Sequence, residues 1–231
     1  MECDTILLTP AETVEAICRD FRQYPPQLML FSGLIRIITQ NRVKFIKEGR
    51  RPGFWVSQPR QRNMHWAEGR ELVAYMCREI SRSDMDLETL VQVCRRVFRA
   101  HAEVITEDGS RCIKIATGME IFDCIQCGHC CRSLDYHTEI TEADVRRWQD
   151  LGRDDILKWV GGRRKNGAAS GYRIWITPGT SQVADICPFL TSVPGKNHWQ
   201  CAIQNAKPQI CRQYPATRKH GLMTGCRGFS A

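Results

Sequence analysis

The chain has 231 residues, of which 42% are hydrophobic and 25% are charged, and this balance excludes a disordered or low-complexity protein. No run of apolar residues reaches the roughly 18 that a membrane span needs. Because the chain also begins with acidic residues where a secretory signal would be basic, we expect a soluble cytoplasmic protein.

The net charge of +8 is concentrated in the second half of the chain. Residues 1–120 carry 18 Lys and Arg against 16 Asp and Glu, whereas residues 121–231 carry 15 against 9. The excess indicates either a surface for an anionic partner or compensation for the negative charge of metal-bound thiolates. Both interpretations stay open at this point.

Helices are predicted over most of the first half. One is expected to begin after Thr9, because a capping threonine followed by Pro10, with Glu12 three residues after the cap, is typical of a helix start. Residues 28–46 are apolar enough to be buried, but their pattern fits either a helix or a strand.

Two further segments, residues 66–80 and 83–105, repeat apolar residues at helical spacing, and the second is predicted to begin at Ser83. Cys77 and Cys94 lie within these apolar stripes. Since an unpaired cysteine packs as a small hydrophobic side chain, we expect both thiols to be buried structural groups.

A basic segment, residues 42–62, lies between these predicted helices and contains seven Lys or Arg and one acid. Phe45, Phe54 and Trp55 are interleaved with the charges. Basic and aromatic residues together can bind RNA or another polyanion. A solvated loop with anchoring aromatics explains the pattern more simply.

Short elements are predicted in the second half. Strands are expected within residues 111–122 and 172–177, and a helix is expected to begin at Thr141, where Asp144 completes the cap. A flexible basic loop is predicted over residues 161–171. The last fifty residues are punctuated by Pro and Gly, and we expect them to be irregular.

Cysteine is the most informative residue type in this sequence. Of thirteen cysteines, five lie in residues 1–120 and eight in residues 121–231. The eight are Cys124, Cys127, Cys130, Cys131, Cys187, Cys201, Cys211 and Cys226. Clustered thiols in a reducing cytosol indicate metal or redox chemistry, and the odd total argues against full disulfide pairing.

The stretch FDCIQCGHCCR, residues 122–132, spaces three thiols at steps of three residues, as in a bacterial ferredoxin. Gly128 is expected to let the backbone turn between the second and third thiols. The adjacent pair Cys130 and Cys131 departs from the ferredoxin pattern. Since side chains alternate along an extended chain, this pair is expected to serve two different centres.

Eight thiols are the number that two four-thiolate sites need, so we predict one or two metal centres that also hold the second half together. Thiolates suit zinc and iron–sulfur clusters alike. One cysteine-rich run with four isolated cysteines, rather than two paired knuckles, favours an iron–sulfur cluster, with 4Fe–4S as the expected type. His129 and His137 are close enough in sequence to be ligands, but we expect neither to be one.

The succession of FDCIQCGHCCR, HTEITEADVRRW, CPFL and CAIQNAKPQICRQYP resembles the CxxCxxCC (YkgJ-like) family of zinc- or iron-chelating proteins over residues 122–215. The resemblance implies that the cysteines from Cys124 to Cys211 are metal ligands, whereas Cys226 lies beyond the best-matched stretch. Lys207 stands where the family usually has arginine, and lysine lacks the planar fork of a bidentate contact. The family is also similar to the cysteine-rich part of flagellin lysine N-methylases.

These observations predict an α+β protein with a mainly helical domain over residues 1–115 and an irregular, cysteine-rich metal-binding domain with short helices and strands over residues 116–231. The expected function is that of a cytoplasmic iron–sulfur protein with a redox or protein-modification role, acting with a protein partner or on a protein substrate.

Two alternative functions stay open. One is a zinc-stabilised adaptor or RNA-binding module, and the other is an S-adenosylmethionine-dependent enzyme of the lysine-methylating type, which only the resemblance implies. If the chain is an enzyme, Tyr136, His137 and Tyr214 are the candidates for catalysis, because they lie beside the predicted ligands in sequence.

Overall fold

The structure is a computed structural model that describes residues 4–24, 27–57, 63–138, 140–165 and 168–229, and these form a mixed α+β protein, as predicted. The chain divides into two compact units, residues 1–120 and residues 121–231. Cys3, the end of the basic segment (residues 58–62) and residues 166–167 of the predicted loop lie outside the described residues. No helix in the described part of the chain is long and apolar enough to cross a membrane.

Four helices lie within the described residues of the first unit. They are α1 (Pro10–Gln23), α2 (Leu28–Ile38), α3 (Gly69–Arg82) and α4 (Leu87–Phe98). Thr9 and Glu12 form the predicted capping box of α1, and the ambiguous segment from residue 28 begins as a helix. The predicted burial of Cys77 and Cys94 is confirmed, since they are 7% and 0% exposed.

Strands accompany these helices, so helices alone do not make up the first unit. The strands are β1 (Thr5–Leu8), β2 (Lys44–Ile46), β3 (Gly53–Ser57), β4 (His65–Glu68), β5 (Ala102–Glu107) and β6 (Ser110–Ala116). They form two antiparallel three-stranded sheets, with the strand orders β1-β6-β5 and β2-β3-β4.

The helix predicted over residues 83–105 is shorter in the structure. Ser83 ends α3, where its hydroxyl donates to a helix carbonyl at 2.6 Å, and Asp86 caps α4 instead. Arg99 then adopts a left-handed backbone and the chain continues into β5. β5 follows α4 closely, and its apolar residues continue the apolar pattern of the helix. The spacing of apolar residues therefore did not show where the helix ends.

One apolar core joins the helices and both sheets of the first unit. Phe54 of β3 is 1% exposed within it, so this ring is not available to stack on a base. Trp55 donates its indole N–H to Glu48 at 2.8 Å. These contacts support the interpretation of the aromatic residues in the basic segment as anchors.

Short elements make up the second unit. In chain order they are α5 (His129–Ser133), α6 (Glu142–Asp150), α7 (Asp154–Leu157), β7 (Val160–Lys165), β8 (Ala168–Ile174), β9 (Leu190–Ser192), β10 (Trp199–Cys201), α8 (Gln209–Arg212) and α9 (Arg218–Met223). β7 pairs with β8, and β9 with β10, both antiparallel. The flexible loop predicted over residues 161–171 is therefore wrong over most of its length, because a backbone ladder orders a glycine-rich segment that has no strand-like side-chain pattern.

The apolar core of the second unit is small. Trp148 of α6 is fully buried and donates its indole N–H to the carbonyl of Ala206 at 2.8 Å. The buried cluster around it consists of Val145, Trp148, Ile156, Ile174, Ile203 and Ala206. The predicted start of α6 is confirmed by the capping box of Thr141 and Asp144. Much of the described chain in this unit lies outside that core. Its structure therefore needs stabilisation by something other than apolar burial.

Candidate metal centre

All eight cysteines of the second unit line one cavity of about 850 Å³. They are the predicted ligands Cys124, Cys127, Cys130, Cys131, Cys187, Cys201, Cys211 and Cys226. Each of the eight is a free thiol, and Cys124 alone among them is exposed. The fold thus gathers the four thiols of residues 124–131 and four distant ones around a single space, while metal binding by them stays a prediction.

A tight backbone turn aims the first thiols into this cavity. Gln126 and Gly128 both adopt left-handed backbone, at φ 52° and φ 68°, and α5 begins directly after the glycine. Trp199 stabilises the turn, since its backbone N–H donates to the carbonyl of Gln126 at 2.8 Å. The guanidinium of Arg132 lies 4.9 Å from the Trp199 ring centroid and donates to the carbonyl of Cys127 at 2.6 Å. The turn expected at Gly128 is confirmed.

The Gly128→Ala substitution is expected to lower the free energy of unfolding by about 2 kcal/mol and to reduce the metal content. A Cβ at this position would lie 2.9 Å from the Trp199 ring, on a backbone that side chains rarely adopt. Chemical denaturation and metal analysis measure the two effects. Gly162→Ala is the matched control, because a Cβ there meets no atom within 4 Å. It should change neither the free energy of unfolding nor the metal content.

The adjacent cysteines lie on a helix and not on an extended chain. Cys130 and Cys131 are part of α5, and their sulfurs are 3.9 Å apart. Two thiolates bound tetrahedrally at about 2.3 Å from one metal ion would lie about 3.8 Å apart. The expectation that the pair points to two centres rested on strand alternation and does not apply here. The observed spacing fits two ligands of one metal.

Cys187 joins this pair from a distant part of the chain. Its backbone N–H donates to the carbonyl of Cys131 at 3.0 Å. The Cys131 contact lowers the pKa of Cys187, which favours the thiolate that a metal requires. Donation to Cys131 and burial raise the pKa of Cys130. A short contact between two sulfurs and one backbone hydrogen bond therefore connect Cys130, Cys131 and Cys187.

Cys211 approaches the same group on α8. Burial, together with the neighbouring cysteines, raises its pKa to about 12, whereas the charge of Lys207 acts in the opposite direction. A buried carboxylate holds this helix in place, since Asp144 accepts a hydrogen bond from the backbone N–H of Gln209 at 2.8 Å and is 2% exposed. Lys207 thus supplies charge compensation beside the thiols without needing a bidentate geometry.

Cys226 reaches the cavity because the end of the second unit packs against the start of the cysteine run. The N–H of Asp123 donates to the carbonyl of Gly228 at 2.9 Å. The rings of Phe122 and Phe229 lie 5.0 Å apart. Gly228 is required at this contact, because a Cβ there would lie 2.6 Å from the carbonyl of Asp123. These contacts explain why Cys226, which lies beyond the best-matched stretch of the motifs, lines the same cavity as the other seven cysteines.

The two histidines that were weighed as ligands have other partners. Nε2 of His129 donates to the carbonyl of Thr224 at 2.8 Å. Nδ1 of His137 lies against the carboxylate of Asp135. Both residues line the cavity, and the expectation that neither is a ligand stays a prediction.

An aromatic and histidine group lies beside the thiols, and the sequence identified only part of it. Tyr136, His137 and Tyr214 all line the cavity, as their positions in sequence suggested. His220, which the sequence did not single out, has its Nε2 3.1 Å from the hydroxyl of Tyr136 and accepts a hydrogen bond from the N–H of Ala216 on Nδ1. Burial lowers the pKa of His220 and raises that of Tyr214 to about 12, so both side chains are neutral near pH 7. No motif marks His220, because only the fold brings it to Tyr136.

Within the described ranges, no three Cys, His, Asp or Glu side chains are close enough together to hold a metal ion as they stand. The cysteines around the cavity would therefore have to close by small side-chain movements on binding. The donor set, which is made of soft thiolates, fits zinc or iron.

Residues 123–227 match the family model named CxxCxxCC and described as a putative zinc- or iron-chelating domain. The resemblance drawn from the motifs is confirmed over this stretch, which is a little under half of the chain and includes Cys226. No curated protein and no solved structure matches the chain. The similarity to flagellin lysine N-methylases is not confirmed.

Proposed function

We propose, from the match of residues 123–227 to the zinc- or iron-chelating CxxCxxCC domain, that the second unit binds its metal through the thiolates around the cavity. One observation carries this proposal: eight thiols from five separate stretches of chain line the same space. Packing alone does not account for it, because free thiols that serve packing are distributed through an apolar core, as Cys94 is in the first unit.

An iron–sulfur cluster is the form of metal that we favour. Since each iron of a [2Fe–2S] cluster takes two of its four cysteines, that type fits the 3.9 Å between the sulfurs of Cys130 and Cys131 better than the 4Fe–4S type, which takes one cysteine per iron. Four thiolates hold one zinc ion and four hold one cluster, so eight thiols around one cavity are enough for more than one centre of either kind. The spacing of Cys124, Cys127 and Cys130 is that of a cluster-binding run. Bound there, a cluster would supply one-electron redox chemistry, and we propose a redox or protein-modification role with a protein as partner or substrate.

Positive charge around the thiols supports this proposal. Four thiolates on a divalent metal leave a net charge of −2, which costs free energy in a half-buried site. The charge of Lys207 favours the thiolates of Cys130 and Cys211. Together with the excess of Lys and Arg in residues 121–231, this favours charge compensation over an anionic partner as the explanation of the charge pattern.

Anaerobic purification with analysis of iron, acid-labile sulfide and zinc tests the proposal. A brown protein with iron and sulfide in equal amounts and a paramagnetic resonance signal on reduction is the expected result. A colourless protein with tightly bound zinc would replace the cluster with a zinc site and leave the chelating function intact. A protein that binds neither metal would refute the chelating function itself.

A further inference from the structure

A second pair of thiols lies in the first unit, on two packed helices. Cys18 of α1 and Cys77 of α3 are 5% and 7% exposed. Sγ of Cys18 lies 3.9 Å from the carbonyl oxygen of Cys77, and Sγ of Cys77 lies 3.8 Å from the carbonyl oxygen of Cys18. Each sulfur reaches the backbone of the other residue, so the two side chains lie alongside each other between α1 and α3.

An open pocket of about 630 Å³ leads from the surface of the first unit to Cys77. Its polar lining consists of Arg22 of α1 and of Arg70, Arg78 and Ser81 of α3, without a carboxylate. Within the described part of the chain, none of these three arginines forms an ion pair. Their charge is therefore available to a negative group in the pocket.

We propose that Cys18 and Cys77 are a redox-active pair that a small hydroperoxide oxidises to a disulfide. The pair has the two features that this reaction needs, namely a thiol reached by a polar pocket and a second thiol in contact with it. The motifs of the sequence predicted only a packing role for Cys77. Cys94, which is fully buried on α4, keeps that packing role.

The reaction runs in two steps. The thiolate of Cys77 attacks one peroxide oxygen, the O–O bond breaks, and hydroxide or alkoxide leaves as water or alcohol after taking a proton, so Cys77 becomes a sulfenic acid. The thiol of Cys18 then attacks the sulfenic sulfur, the S–O bond breaks and water leaves. In total, two thiols lose two electrons and two protons, and the hydroperoxide is reduced by the same two electrons.

The environment of the pair assigns the attacking role to Cys77. The neighbouring thiol lowers the pKa of Cys77 and raises that of Cys18, and the charge of Arg22 also lowers the pKa of Cys77 against the effect of burial. Arg70 and Arg78 line the same pocket as Cys77, where their charge stabilises the thiolate and the departing anion.

Peptide mapping of the purified protein after treatment with graded hydrogen peroxide tests the proposal. Free thiols are alkylated under denaturing conditions, and trypsin is combined with a Glu-specific protease, because cleavage at Glu12 and Glu15 separates Cys3 from Cys18. The expected product is a disulfide between residues 16–19 and residues 72–78. The free thiol of Cys77 should disappear at least about tenfold faster than that of Cys94, whose pKa burial raises to about 12.

Three variants give the order of events. In Cys18→Ser, Cys77 should stop at a sulfenic acid that a cyclic 1,3-dione traps, whereas in Cys77→Ser the thiol of Cys18 should stay free. Cys94→Ser should form the linked peptide as the unaltered protein does. The proposal is overturned if both thiols are still free when Cys112 of β6 has been oxidised, or if either is linked to another cysteine. The unaltered protein alone decides this point, so a variant that folds poorly does not affect it.

Discussion

Removal of the bound metal is expected to unfold residues 121–231 and to leave residues 1–120 folded. Within the described residues, the core cluster of the second unit contains six buried apolar side chains, whereas that of the first unit contains 25. In small metal-dependent domains, structural zinc supplies about 10–16 kcal/mol of folding free energy, which is as large as the whole net stability of a typical domain. A unit with so small a core is therefore expected to depend on its metal.

Hydrogen exchange of metal-loaded protein before and after chelation measures this effect. The amides of Trp199 and Cys187 are suitable reporters, because they donate to the carbonyls of Gln126 and Cys131 and so join distant stretches of the metal-binding unit. Both should lose their protection on chelation. The amide of Thr117, which donates to the carbonyl of Asp4 in the first unit, is the internal control and should keep it. Equal protection with and without metal would show that the second unit folds without it.

Cys130→Ser and Cys131→Ser are expected to remove the same metal from the protein. The two sulfurs are 3.9 Å apart on one helical turn, which is the separation of two ligands of one tetrahedral ion. Loss of a thiolate should lower the affinity for that metal by more than about a hundredfold, since the loss of an outer-shell partner alone costs 10- to 100-fold. Cys187→Ser should behave alike, because the backbone N–H of Cys187 donates to the carbonyl of Cys131 and both thiols line the same cavity.

Metal titration of each variant, followed by elemental analysis, distinguishes one shared metal from two. Cys112→Ser is the control, because this cysteine lies on β6 of the first unit, and it should bind the full amount. Cys124→Ser shows whether the start of the run belongs to the same centre. If Cys130→Ser and Cys131→Ser lose different metal equivalents, the adjacent cysteines serve two centres, as an extended chain would have required, and the shared site is refuted.

Local signals predicted the elements that depend on neighbouring residues alone. The capping boxes that begin at Thr9 and Thr141 are of this kind, because a helix start is specified within four residues. The turn at Gly128 was also predicted from local sequence, since glycine adopts the left-handed backbone found there at little cost. The strand over residues 102–107 was missed because its apolar residues continue the pattern of α4. The β7–β8 hairpin was missed because its glycine-rich sequence has no side-chain alternation.

The sequence by itself determined which side chains are available to bind a metal in this protein. Thiols at the spacing of residues 124–131, followed by four more, indicated a thiolate metal site, because ligand type and local spacing are properties of the chain. Only the tertiary structure decided which cysteines are neighbours. It placed Cys130 and Cys131 on one helical turn and brought Cys187 to them. It also set Cys18 beside Cys77 under an arginine-lined pocket. Contacts between residues tens of positions apart depend on how helices and turns pack, and no local pattern in the chain records that packing.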